Sequence, residues 1–231
     1  MKTKNQIKLG ATFFPTKDQF GHEINFDSLF IPYIYKEIYL EGVYIDILNQ
    51  RKDMVILDVG ANLGLTVSYF RPHAKKIYAI EPSPEHFTAL KKNKEFNGWD
   101  NVEIFQVALA DKNGEMEFHT SHKNRTTNQL VLGTDNPAWY NTEKFKVKTM
   151  AIDTFFEENK IEHVDFVKMD PEGAEDLIMR SDGFKKIVNK IDAIIVEFHD
   201  QSWMELVNYI TQFGFKGRQY ESSAKIVLFT R

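Results

Sequence analysis

The chain has 231 residues, room for one ordinary domain with a small cap and too few for two full domains. Hydrophobic residues make up 42% and charged residues 27%, with Gly 12 and Pro 7, which excludes wholesale disorder and a linker-rich protein. Lys+Arg 29 against Asp+Glu 33 leaves a net charge of −4 with no dominant basic patch, which argues against nucleic acid as the main ligand, and the absence of cysteine removes disulfide scaffolds, thiolate metal sites and cysteine nucleophiles.

Residues 1–20 carry lysines but no apolar stretch of ~7–15 residues behind them, so no secretory signal is expected. No run approaches the ~18 apolar residues of a membrane helix; the apolar run 193–196 stops at Glu197. These features predict a soluble, cytoplasmic protein without a membrane partner, and leave a homodimer open. Residues 1–53 precede the first buried strand and are expected to form an N-terminal helical or cap segment, with an aromatic amphipathic stretch at 33–44.

From Met54 the chain alternates between strands and helices. The apolar runs 55–57, 77–80, 102–107, 164–169 and 191–196 lack clean alternation, the pattern of strands buried on both faces of a parallel sheet. A helix is expected over 84–96, closed by Asn97-Gly98, and another over 203–213, stopped by Gly214. Residues 111–150 interrupt the rhythm as an insertion, with antiparallel strands expected at 115–119 and 145–150. The polar stretch 121–141 between them has the length of a functional lid. Residues 215–216 and 225–229 read as a closing hairpin. The domain is thus expected to run over 54–231 as an open α/β sheet with helices on both faces.

Five strand-end motifs carry the chemistry. Asp58-Val59-Gly60-Ala61-Asn62-Leu63-Gly64 ends the first strand and opens a helix, the place where a nucleotide-like ligand sits in such sheets. It is not the dinucleotide fingerprint: Asn62 stands where the second glycine would make room for a pyrophosphate. Glu81, 21 residues after Gly60 and followed by Pro82, matches the acid that accepts ribose hydroxyls about 20 residues on. Ala108, after the third strand, would lie against an adenine, or be a plain core edge. Asp170-Pro171-Glu172-Gly173-Ala174-Glu175 gathers three carboxylates, either a cation or proton-accepting site or an N-cap with first-turn acids. His199, after the fifth strand, is placed as a base or is simply a satisfied histidine.

Taken in order, VILDVGANLGLTVSYF, IYAIEPSPEHFTALKKNKEFNG, VEIFQVALAD, VDFVKMDPEGAE and IIVEFH resemble the FkbM family of S-adenosylmethionine-dependent methyltransferases over about residues 54–200. Pro171 departs from the pattern, since the family more often has an aliphatic residue there. The resemblance implies the Rossmann-like class I methyltransferase sheet of seven strands in the order 3-2-1-4-5-7-6. It also implies S-adenosyl-L-methionine as cofactor, and O-methylation of a hydroxyl on a sugar, polyketide or other small natural product. By the resemblance Asp58, Gly60 and Asn62 line the methionine portion, with Ala61 and Gly64 in the same turn. Glu81 and Pro82 take the ribose, the Ala108 region the adenine, and Asp170 the edge nearest the methyl.

The residues agree with that reading, because a sulfonium carries no phosphate and is cationic, so an acidic rim favours it. An alcohol acceptor must lose a proton, and Asp170, Glu172 and His199 are the candidate catalytic bases, in that order. The spacing does not demand a metal, although Asp170 and Glu172 with Glu197 or Asp200 could share one. The rival readings are a nucleotide-binding oxidoreductase on the same fold and a non-catalytic S-adenosylmethionine-binding module.

Overall fold

The computed structural model describes residues 6–9, 12–15, 35, 38–39, 44–49, 51–121, 129–130, 142–199, 203–220 and 225–231. The expected lid at 121–141 and Asp200 therefore fall mainly or wholly outside the described residues.

Seven strands build the central sheet: β3 (Met54–Val59), β4 (Ala74–Ile80), β5 (Val102–Phe105), β10 (Val164–Met169), β11 (Ile191–Glu197), β12 (Lys216–Gln219) and β13 (Ile226–Thr230). From one edge the order is β5-β4-β3-β10-β11-β13-β12. Ranked along the chain that is 3-2-1-4-5-7-6, the order expected. The pairs from β5 to β11 are parallel, while β13 runs antiparallel to both β11 and β12. Strand order reverses between β3 and β10, and such a switch point leaves a crevice beyond the carboxyl ends of the two strands.

Side chains alternate between the two faces, which explains why these apolar runs become strands. Met54 and Ile56 enter one core with Ala193 and Ile195, whereas Leu57 and Val59 enter the other with Ile194 and Val196. The first core packs α1 (Ile45–Leu48), α2 (Leu65–Phe70) and α3 (Pro84–Asn97) through Leu48, Phe70 and Leu90. The second packs α4 (Ile152–Glu158), α5 (Glu175–Met179), α6 (Asp182–Ile187) and α7 (Trp203–Thr211) through Phe155, Ile178, Phe184 and Leu206. Among the described residues no helix is long and apolar enough to cross a membrane.

One expectation changes, and two N-terminal stretches gain detail. The third strand stops at Phe105 rather than continuing through Val107: the chain turns away, and β6 (Ala108–Ala110) pairs in parallel with β9 (Thr142–Ala151). Together with β7 (Gly114–Ser121) and β8 (Gln129–Leu130) these form a separate sheet, in the order β6-β9-β7-β8. The insertion is thus a four-stranded layer that begins at Ala108, and its antiparallel pair β7–β9 is longer than the sequence suggested. The N-terminal segment, expected as a helical or cap segment, contains a two-stranded antiparallel hairpin, β1 (Gln6–Leu9) and β2 (Thr12–Pro15), besides the helix α1. Finally, Tyr39 and Tyr44, among the described residues of the 33–44 stretch, pack on α2: Tyr39 stacks on Tyr35 at 4.7 Å and meets Tyr69 edge-on at 5.0 Å, and Tyr44 meets Phe70 at 5.1 Å.

Candidate active site

The turn after β3 is built by close approach. Gly60 has φ +81°, and a Cβ there would lie 2.0 Å from the Asp170 carbonyl oxygen, so only glycine lets the ends of β3 and β10 meet. The Gly60 and Ala61 amides donate to the Ile80 carbonyl at 3.0 and 2.9 Å, which ties the turn to β4. Asn62 adopts φ +50°, a conformation asparagine tolerates, and its Oδ1 accepts from the Leu63 amide at 2.8 Å. Gly64 faces away from the crevice; its missing Cβ makes room for Leu90 and Trp99 under α3.

Glu81, at the end of β4, bridges the turn and the start of α3. Its Oε2 accepts from the Asn62 amide at 2.9 Å and its Oε1 from the Ser83 amide at 2.8 Å. Burial raises its pKa to about 7, outweighing those two bonds and the Lys168 ammonium, all of which favour the charged form.

Beneath the turn lies Lys168, only 4% exposed. It pairs in register with Asp58 across the β3–β10 ladder. Its ammonium donates to the Gly60 carbonyl at 2.9 Å, lies 3.1 Å from Asp170 Oδ2 and lies 3.5 Å from Asp58 Oδ1. Burial alone would lower the lysine's pKa, but the Asp170 and Asp58 charges override it and hold the pKa well above the ordinary value. Burial pushes the Asp58 carboxyl up, against the Lys168 ammonium and the Thr66 hydroxyl, which donates to Asp58 Oδ2 at 2.5 Å.

A second group of charges sits where β10 and β11 end. His199 Nδ1 donates to Glu175 Oε1 at 2.9 Å, and the same oxygen accepts from the Gly173 amide at 2.9 Å. The other ring nitrogen, Nε2, lies 3.3 Å from Glu172 Oε2 and 3.9 Å from Asp170 Oδ1. Burial would lower the His199 pKa, but the Glu175 bond and the neighbouring carboxylates lift it to about 10. Burial, reinforced by the Asp170 charge, raises Glu172 well above the carboxylate range. Ligand atoms of Asp170, Glu172 and His199 lie within 4.8 Å of one another, near enough for one metal ion, yet the imidazolium already places a positive charge among these acids.

The crevice at the switch point is walled by Gly60, Ala61 and Asn62 from the turn, Glu81 and Pro82 after β4, Ala108 from β6, and Lys168, Asp170 and Glu172 from the β10 end. Of the catalytic and cofactor-binding candidates read from the sequence, three are not on its walls. Asp58 lies below the floor under Lys168, Gly64 packs against α3, and His199 stands behind Glu172. Sequence reasoning missed Lys168, His86 and Phe118, while Tyr44, from the aromatic stretch 33–44, also lines the crevice. His86 lines the crevice with its Nδ1 3.9 Å from Glu81 Oε1, and Phe118 reaches it from the inserted sheet. A lysine inside the apolar run 164–169 was the available signal for the floor; the Phe118 position depends on a strand pairing that no local pattern announces.

Residues 58–216 match the family model described as the Methyltransferase FkbM domain. Among curated proteins, the 2-O-methyltransferase NoeI of Sinorhizobium fredii (strain NBRC 101917 / NGR234) is 29% identical over 171 residues, 68% of either chain. The crystal structure of Methyltransferase FkbM from Methylobacillus flagellatus KT superposes with a TM-score of 0.53 at 14% identity, covering 78% of this chain and 44% of that one. The putative methyltransferase SMU.1697c from Streptococcus mutans, in complex with SAH, superposes with a TM-score of 0.50 at 13% identity, over 82% of this chain and 96% of that one. At these identities the two structures speak to the fold alone.

Proposed function

The chain belongs to the FkbM methyltransferase family, and from that premise we propose that its crevice binds S-adenosyl-L-methionine and directs the methyl group to a hydroxyl of a small molecule. The observation that carries the reading is the floor of the crevice, where two carboxylates, Asp58 and Asp170, flank one ammonium and leave an excess of negative charge for a cationic ligand. The SAH-bound neighbour and the 2-O-methyltransferase relative support the cofactor and the oxygen acceptor respectively. A sugar, polyketide or similar natural product is the acceptor class we favour, and a cytoplasmic setting suits a cofactor of this kind.

In this reading Gly60, Ala61 and Asn62 hold the amino-acid end of the cofactor, Glu81 accepts the ribose hydroxyls, and Ala108 with Phe118 covers the base. S-adenosylmethionine, when bound, supplies an electrophilic methyl group on a positively charged sulfur. The protein's part is placement and proton removal. Asp170 is the base: its Oδ2 is engaged by Lys168, while its buried Oδ1 has no hydrogen-bond partner among the described residues and is left to accept the hydroxyl proton. With a pKa near 10, His199 is already protonated at neutral pH and serves as a fixed cation rather than a base. Burial and the Asp170 charge push the Glu172 carboxyl up, which favours the protonated form that can donate a hydrogen bond to the acceptor.

Calorimetric titration with S-adenosylmethionine and S-adenosylhomocysteine tests the cofactor, followed by transfer of labelled methyl to a panel of hydroxylated sugars and polyketides. Binding of both with methyl incorporation at oxygen is expected; no binding, or NAD binding in its place, would overturn the reading. With the acceptor so identified, Asp170→Asn should lower kcat ~10²-fold or more. A turnover near wild type would remove Asp170 as the base.

A further inference from the structure

The Lys168 ammonium is buried between two carboxylates and a backbone carbonyl. Its Nζ donates to the Gly60 carbonyl at 2.9 Å and forms ion pairs with Asp170 Oδ2 at 3.1 Å and Asp58 Oδ1 at 3.5 Å, the last too long for a hydrogen bond. The Asp170 and Asp58 charges hold it in the charged form against burial, so it is neither a nucleophile nor a proton carrier. Asp58 and Lys168 are register partners on adjacent strands, and Asp170 follows two residues later, so the three charges form one cluster under the glycine turn. Two buried carboxylates this close repel unless a cation stands between them. Burial pushes Asp58 toward its neutral form while the Lys168 ammonium and the Thr66 hydroxyl oppose that; with both carboxylates ionised the cluster carries one excess negative charge.

Methyl transfer changes the cofactor by one unit of charge: the sulfonium is positive and the thioether left behind is neutral, while the hydroxyl proton departs to a base. A floor of one net negative charge attracts the first form and is indifferent to the second. We propose that Lys168 is the positioning residue that sets this balance, holding Asp58 and Asp170 together as a single net negative charge and thereby fixing how strongly the site favours S-adenosylmethionine over S-adenosylhomocysteine. The proposal rests on the cofactor reading above. It accounts for a charged side chain in the middle of an apolar strand, where a hydrophobic residue would pack at less desolvation cost.

Charge compensation at pH 8, with S-adenosylmethionine and S-adenosylhomocysteine as calorimetric probes, tests the proposal without knowledge of the acceptor. Asp58→Asn leaves the floor neutral, and the preference for the sulfonium over the thioether should fall about tenfold, the effect of one nearby charge in a partly shielded site. Adding Lys168→Met to Asp58→Asn returns the floor to one negative charge on Asp170. The preference should recover to within about threefold of wild type, since tenfold corresponds to a full unit of lost interaction. A lysine that only braces the strands predicts the opposite, a second loss added to the first. An unchanged preference in Asp58→Asn, or no recovery in the double variant, overturns the proposal and leaves the cofactor reading intact. If the wild-type chain binds neither probe, both readings fall together. Should Asp58→Asn not fold by circular dichroism, Asp170→Asn and Asp170→Asn/Lys168→Met make the same comparison through the other carboxylate, with the same outcomes.

Discussion

Glu81, with its pKa raised to about 7 by burial, is half protonated near neutral pH in the free protein. A carboxylate accepts ribose hydroxyls better than a carboxylic acid does, so binding must first expel that proton when the pH lies below 7. Cofactor affinity should therefore fall as the pH drops from 8 to 6, by as much as about tenfold per unit below the pKa. Glu81→Gln should flatten the profile; calorimetry across that range checks it, and an equal slope in the variant would exclude Glu81 from the contact. His199 gives a second pH signature with its own sign. Its pKa rises from 6.5 to about 10 on folding, so its contribution to stability is complete below 6.5 and is lost as the pH climbs toward 10. The wild-type melting temperature should decline over that interval more steeply than that of His199→Gln. These residues differ in how far the sequence exposes them. Glu81 and Asp170 stand at strand ends and are readable from spacing, whereas the charge state of His199 depends on Glu175 and Asp170, which only the fold brings to it.

The turn between β3 and α2 and the inserted sheet show the same contrast among elements. The glycine spacing located the turn, but the reason for Gly60 is the Asp170 carbonyl 2.0 Å from where its Cβ would be, a contact with a strand more than 100 residues away. Gly60→Ala should accordingly destabilise the fold by ~2 kcal/mol or more, from the positive φ and the collision together. Urea unfolding measures it, and a loss confined to ligand affinity would contradict the contact. In the inserted sheet, the strand pattern at 115–119 was visible because polar and apolar residues alternate. The break after Phe105 was not, because Val107 to Ala110 is as apolar as the strand before it. Phe118 is buried against Phe145 at 5.5 Å and also lines the crevice. Phe118→Ala should cost ~3–5 kcal/mol of stability and weaken cofactor affinity as well, two readouts that fall together only if one ring serves both places.

For the molecule as a whole, alternating buried strands and amphipathic helices dictated the doubly wound sheet, and the handedness of parallel crossovers left few ways to wind it. What remained hidden was that the crevice is shared between two sheets: the turn, Glu81 and Asp170 belong to the seven-stranded sheet, and Ala108 and Phe118 to the four-stranded one. Addition of S-adenosylhomocysteine should slow amide exchange in both sheets together, at the turn 60–62 and in β6 and β7. Protection limited to the larger sheet would place the ligand elsewhere. This shared wall also bears on how such enzymes can diversify. A recombinant chimera that replaces 111–150 with the matching segment of a relative, in search of a new acceptor, would exchange part of the cofactor's housing at the same cut. Viable chimeras should be those whose crossover points keep β6 with its own β9 and preserve an aromatic ring at position 118, so that acceptor choice and donor binding are inherited as one module.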